Sequence, residues 1–248
     1  MMEFTYVLIA LFLGSIGSVS LAGLMLLLKG DKLEKVSTYL MYFAGGTLLG
    51  SVFFGMIPKA ISMSNTVLIL NLVLGGILFF FIMEKFILWR TCRNQNCERH
   101  TNVVVPIILI GDAFHNAIDG IVIAASFMTS TQLGIFATLS VVLHEIPQEL
   151  GDFGILIKSG LSRKKALWYN VLSGSTAIIF GLFAFFALES VKSLIPFALA
   201  FSASSFLYIA LADLIPEMHR KTSLKDTIAQ ILLIVLGIFV IYILVSTK

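Results

Sequence analysis

Eight stretches of about 20 mostly apolar residues divide this chain, and each is long enough to cross the hydrocarbon core of a bilayer as a helix. They run approximately over 4–28, 36–57, 67–88, 104–128, 134–157, 167–188, 194–215 and 227–246. Composition agrees. Of 248 residues, 58% are hydrophobic and 12% charged, against roughly 45–50% and about 25% in soluble domains. So few charges cannot cover a soluble globule of this size. A soluble enzyme, a disordered chain and a nucleic-acid binder are therefore disfavoured. The first stretch lacks a basic leader and is long enough to span, so it reads as a helix rather than a cleaved signal peptide. The longest loop, near 89–103, leaves no room for a soluble domain, and residues 1–248 read as a single transmembrane domain. Two cysteines cannot make a disulfide framework. The expected fold is an all-α integral membrane protein with eight transmembrane helices.

The basic residues set the orientation. Fourteen of the 17 Lys and Arg fall in the odd-numbered loops, among them Lys32, Arg90, Arg163, Lys164, Lys165 and Lys221; only Lys59, Lys192 and Lys248 lie on the other side. The positive-inside rule places the odd loops in the cytoplasm. Both termini then face the extracytoplasmic side, in a multi-pass protein of the cell membrane. The Arg163-Lys164-Lys165 run suits contact with anionic lipid heads.

A weak internal repeat is visible. The second span reads Phe43-Ala44-Gly45-Gly46 and ends at Ile57-Pro58; the seventh reads Phe201-Ser202-Ala203-Ser204 and ends at Ile215-Pro216. The Phe-to-Pro distance is 15 residues in both. The two spans run in opposite directions, which suggests an inverted repeat relating helices 1–3 to helices 6–8 around helices 4–5. Secondary transporters commonly carry such repeats, with the substrate at the repeat interface.

Spans four and five carry the chemistry. Span four contains Asp112, His115, Asn116 and Asp119; span five contains His144, Glu145, Gln148, Glu149 and Asp152. Ionisable groups inside a span are expensive and usually functional. His115 and Asp119 are i,i+4 neighbours on one face, with Asp112 one turn earlier. His144 and Gln148 form a second such pair, and Glu145 and Glu149 a third, offset by about 100°. Imidazole with carboxylate suits Zn²⁺, Fe²⁺, Mn²⁺ or similar ions. Pro147 cannot donate to the Leu143 carbonyl, so a kink is expected there. A purely structural polar network is the simpler alternative, but nine polar residues at helical spacing on consecutive spans weigh against it.

Two segments carry a specific resemblance. Gly111-Asp112-Ala113-Phe114-His115-Asn116-Ala117-Ile118-Asp119-Gly120 resembles the H-N-x-x-D-G signature in the fourth helix of the ZIP (Zrt/Irt-like) metal transporters. His144-Glu145-Ile146-Pro147-Gln148-Glu149-Leu150-Gly151-Asp152 is similar to the H-E-x-P-x-E-x-G-D signature of that family's fifth helix. The resemblance implies transport of divalent metal cations into the cytoplasm, zinc first, with iron, manganese and cadmium admitted. It implies a paired site between helices four and five. His115, Asp119, His144 and Gln148 would form the main site. Asn116 and Glu145 would complete a second, with the side chains of Asp119 and Gln148 lying between the two. Glu149 and Asp152 also match motif positions and would orient ligands. It further implies a homodimer, and an elevator-like motion of helices 1, 4, 5 and 6 against 2, 3, 7 and 8. No prosthetic group is expected. Two departures stand out: Gln148 replaces a second histidine of many relatives, and Gly55-Met56-Ile57-Pro58-Lys59 replaces a His-x-x-Pro-Glu ending.

The competing class is an intramembrane metalloprotease, since His144-Glu145 begins like H-E-x-x-H. Gln148 stands at its last position, and Pro147 distorts the turn that would align the ligands. Cys92, Cys97 and His100 read as reduced loop residues or as a Zn²⁺ site of non-standard spacing. Asp213 reads as an exit-path ligand or a snorkelling anchor. Glu84-Lys85 reads as an ion pair or an interfacial anchor.

Overall fold

The computed structural model describes residues 2–26, 31–91 and 101–246, all of them in helices and short turns. Cys92, Cys97 and His100 lie outside these residues, and so does the side chain of Asp213. No strand occurs among the described residues. Helix α1 comprises Met2–Phe12, a π segment Leu13–Gly17 and Ser18–Met25; α2 comprises Asp31–Gly50, a π segment Ser51–Met56 and Ile57–Met63. Then come α3 (Thr66–Thr91), α4 (Thr101–Thr129), α5 (Thr131–Lys158) and α6 (Arg163–Ser190). A short 3₁₀ turn leads into α7, built of Ile195–Tyr208, a π segment Ile209–Leu214 and Ile215–His219, and α8 is Leu224–Ser246.

Most helices overrun the expected apolar stretches by a few residues. The largest excess is in α2, which begins at Asp31 and ends at Met63. Its first turn, Asp31-Lys32-Leu33-Glu34-Lys35, is charged but made of good helix formers, so the helix continues beyond its apolar part. Among the described residues, seven helices are long and apolar enough to cross a membrane. Helix α5 is also 28 residues long, but it carries Glu145, Glu149 and Asp152. The chain is an all-α membrane protein.

Local signals fix the ends of α5. Ser130 has extended backbone and its Oγ accepts a hydrogen bond from the Leu133 N–H at 3.1 Å, a normal N-cap. Gly160, at φ +87°, turns the chain out of the helix. Pro147 is accommodated within α5, which stays one α-helix from Thr131 to Lys158.

The core lies among α1, α2, α4, α5 and α7, where Leu11, Leu48, Val52, Ile123, Val141 and Phe206 are fully buried. Helices α3, α6 and α8 display large apolar side chains outward, such as Leu74, Phe183 and Phe239. Hydrocarbon, not water, is the solvent that tolerates such a surface. Helix α4 packs along α6 and against α5 and α7; α5 packs against α1 and α2; α2 pairs with α8, and α3 with α7. The α4–α6 contact is close because Gly120 has no side chain: a Cβ there would lie 2.0 Å from the Ala177 carbonyl oxygen. Thr176 Oγ1 donates to the Ala113 carbonyl across this contact, and Ser15 Oγ donates from α1 to the Gly174 carbonyl, both at 2.6 Å. Small residues and interhelical hydrogen bonds of this kind drive association where lipid removes the hydrophobic term. The packing holds α4 and α5 side by side in the middle of the bundle.

Candidate metal centre

Four side chains of α4 and α5 converge on one point. Helix α4 contributes His115 and Asp119, one turn apart; α5 contributes His144 and Glu145, at successive positions. The two histidines face each other with Nε2 atoms 3.2 Å apart. His115 Nε2 lies 3.2 Å from Glu145 Oε1 and 3.8 Å from Asp119 Oδ2. His144 Nε2 lies 3.0 Å from Asp119 Oδ2 and 3.7 Å from Glu145 Oε1. A tetrahedral ion with bonds of about 2.0–2.1 Å holds its ligand atoms roughly 3.3 Å apart. The five separations scatter around that value.

The orientation of His144 is set from behind. Its Nδ1 lies 2.9 Å from the Ser140 carbonyl, an acceptor, so the proton sits on Nδ1 and the Nε2 lone pair points at the convergence. This is the tautomer that ligation of a metal through Nε2 requires. Phe206 of α7 packs edge-on against the ring.

Both oxygens of Asp119 and both of Glu145 are buried and, the two imidazoles aside, have no hydrogen-bond donor among the described residues. Leaving a buried acceptor unsatisfied costs about 1–3 kcal/mol, and more when it is charged. Interhelical hydrogen bonds in membrane bundles average only about 0.6 kcal/mol. A polar network kept for packing would give each carboxylate several donors, whereas here imidazoles are the only polar partners beside them among the described residues. Among the described residues, Lys and Arg form ion pairs only at Arg220–Glu217 and Lys221–Glu34, near the helix ends. Beside Lys221, which lies outside the spanning segments, the hydrogen-bonded Glu34 carboxylate holds the ammonium pKa above its ordinary value. Among the described residues no lysine or arginine supplies positive charge to the α4–α5 carboxylates; the two histidines are the basic side chains beside them.

A second group adjoins the first. Ligand atoms of Asp112, Glu145 and Glu149 all lie within 4.8 Å of one another, and all three residues are buried. Asp112 Oδ2 and both Glu149 oxygens accept no hydrogen bond among the described residues. Asn116 is turned toward this group: its Nδ2 donates to Asp112 Oδ1 at 3.0 Å, while its own Oδ1 is buried without a donor. From α6, Asn170 Nδ2 donates weakly to the Glu149 backbone carbonyl at 3.4 Å. Glu145 thus belongs to both groups.

The arrangement departs from the sequence expectation in two respects. Glu145 stands with the main four, whereas it was expected only in the second site. Asp112, which was not expected as a ligand, stands with Glu145 and Glu149. Its signal was present in the sequence as the i,i+4 partner of Asn116 on the same face. Gln148 lines a cavity of about 210 Å³ together with His115. That cavity explains why His115 is 18% exposed while Asp119, His144 and Glu145 are at 1% or less. One turn from His144 toward the α4–α5 connection the site is covered. There Ser140 Oγ meets Ser51 Oγ of α2 at 2.8 Å, and Val52 and Met56 are fully buried.

Residues 90–245 match the sequence model of the family described as ZIP Zinc transporter. The chain is 32% identical to Zinc transporter ZIP13 of Pongo abelii over 219 residues, covering 81% of this chain and 64% of that protein. It is 37% identical to Zinc transporter zipt-7.2 of Caenorhabditis elegans over 153 residues, 59% of this chain and 33% of the relative. Against Zinc transporter foi of Drosophila melanogaster it is 38% identical over 136 residues, 55% of this chain and 19% of the relative. The chain thus spans a third or less of two of these relatives and just under two thirds of the other. The match includes α4 and α5 with both signature segments. The chain is a member of the ZIP family.

Proposed function

We propose that this protein carries divalent metal cations, zinc foremost and iron, manganese or cadmium as further substrates, across the membrane into the cytoplasm. The transported ion is held between α4 and α5 by His115, Asp119, His144 and Glu145. One observation carries the reading: two buried carboxylates, with no partner but the imidazoles among the described residues, face two imidazole nitrogens at the separations of a tetrahedral coordination shell. A carrier must replace the hydration shell of the ion and then let it go. Four borderline-to-hard donors do the first without the near-irreversible grip of a thiolate cage. Partial exposure of His115 on the cavity side provides for the second. The relatives are named as transporters, and nothing in the α4–α5 geometry calls for a hydrolytic base.

The group formed by Asp112, Glu145 and Glu149, with Asn116 beside it, is the second ion position. Its all-oxygen donors hold a dication more loosely than the histidine pair does.

Eight spans with both termini outward fit the charge distribution of the loops. Three packing relations support the inverted repeat: α2 with α8 matches α7 with α3, α6 with α4 matches α1 with α5, and α2 with α5 matches α7 with α4. The π segments Ser51–Met56 and Ile209–Leu214 begin eight residues after Phe43 and Phe201 respectively, the residues that head the repeat. With the odd loops in the cytoplasm, the cavity beside His115 opens inward and the Ser51–Ser140 contact closes the outer side. A homodimer and the elevator-like motion are carried over from the family resemblance.

Uptake of radioactive zinc into proteoliposomes tests the function. The full chain is expected to load the vesicles, and His115→Ala or Asp119→Ala to fall to the level of empty liposomes while still inserting and eluting as the parent does. Normal uptake by both variants would falsify the site.

A further inference from the structure

The cavity beside the metal centre holds a carboxylate that the centre does not use. It is bounded by Phe80, Met83 and Glu84 of α3, His115 of α4, Gln148 of α5 and Tyr208 of α7. Glu84 is half-buried, and the Tyr208 hydroxyl donates a hydrogen bond to its Oε2 across the α3–α7 contact. An interfacial anchor would extend away from the bundle. Glu84 instead turns into it and is partnered by a hydroxyl rather than a cation. Its neighbour Lys85 goes elsewhere, with Nζ 5.6 Å from the centre of the Phe81 ring. Among the residues bounding this cavity, Glu84 is the one carboxylate. A carboxylate within an apolar span is costly and marks an ion path or a partnered charge.

The position suits a passing cation. His115 is the one ligand of the four that opens into the cavity, so an ion leaving the centre enters this space. Apart from His115 and Gln148, the walls offer the Met83 thioether, the Tyr208 hydroxyl, Ser205 and apolar side chains. A dication stripped of two imidazoles and two carboxylates meets one further negative charge there, on a different helix. Tyr208 is the last residue of α7 before the π segment Ile209–Leu214. Such segments mark places where a helix changes register.

We propose that Glu84 is a transient ligand for the divalent cation, taking it from His115 on its way out of the centre toward the cytoplasm, with the Tyr208 hydroxyl holding the carboxylate in the cavity between passages. This assignment rests on the transport reading above.

Initial rates of zinc uptake into proteoliposomes, measured for the full chain over a range of zinc concentrations, provide the test. They are combined with zinc affinity in detergent, read by competition with a chromogenic chelator. Glu84→Gln is expected to lower the maximal rate about tenfold, the loss seen when a supporting ligand is removed near a metal, with half-saturation and affinity unchanged. Glu84→Asp, which keeps the charge, is expected to recover most of the rate. A Gln variant as fast as an active parent overturns the assignment alone. So does a Gln variant that loses affinity together with rate, which is the behaviour of a residue that merely supports the fold. A parent chain that moves no zinc, or a His115→Ala variant that moves it normally, overturns the transport reading and this assignment with it.

Discussion

Glu145 is the residue on which the two halves of the site depend. On α5 the His144/Gln148 pair and the Glu145/Glu149 pair are offset by about 100°. The first pair faces His115 and its cavity; the second faces Asp112. Glu145 sits at the seam, with one oxygen 3.2 Å from His115 and its carboxylate also within reach of Glu149. Glu145→Gln is therefore expected to weaken both ion positions, and Glu149→Gln only the second. Equilibrium dialysis against zinc reads the difference. The parent binds two ions per chain, Glu149→Gln keeps one at the parent's tighter affinity, and Glu145→Gln loses at least about tenfold in the tighter affinity. Equal behaviour of the two variants would contradict the shared role. The ligand types and their helical spacing were legible in the sequence. Which face of α5 turns to which part of α4 was not, because that rotation is set by contacts such as Ser140 Oγ of α5 against Ser51 Oγ of α2, and these join segments far apart in the chain. The grouping of Asp112 with Glu145 and Glu149 was not legible for this reason.

At the scale of elements, the apolar stretches announced their helices but not the π segments within α1, α2 and α7. Two of these segments lie directly before an Ile-Pro step, Ile57-Pro58 and Ile215-Pro216. Proline supplies no N–H to the carbonyl four residues back, here Phe54 and Ala212, and the ladder is irregular at those places. Pro147 has the same chemistry, yet it stays inside a regular α-helix. A proline in the sequence therefore did not decide the outcome. The segment in α2 carries Ser51, whose Oγ meets Ser140 Oγ of α5 at 2.8 Å. This contact closes the face of the site opposite the cavity. Ser51→Cys with Ser140→Cys is expected to form a disulfide that locks this face shut. Zinc uptake should then fall to background under oxidising conditions and return on reduction, with either single variant unaffected by oxidant. Undiminished uptake by the cross-linked protein would show that this contact does not open during transport.

At the scale of the whole molecule, the few charges of this chain fall into separate populations. Basic residues crowd the odd loops and are expected to set orientation. Acids gather between α4 and α5, where no lysine or arginine pairs with them among the described residues. On the proposed function, the opposing charge is supplied by the cation held there. The same molecule offers other donors for zinc: Cys92, Cys97 and His100 close together in sequence, and His219 at the end of α7. X-ray absorption at the zinc edge, on the full chain loaded with one equivalent, separates these directly. Two imidazoles and two carboxylate oxygens at about 2.0–2.1 Å, with no sulfur, are expected, and Asp119→Ala should abolish that signature. A zinc–sulfur distance of about 2.3 Å, or an unchanged shell in Asp119→Ala, would contradict the placement of the ion between α4 and α5.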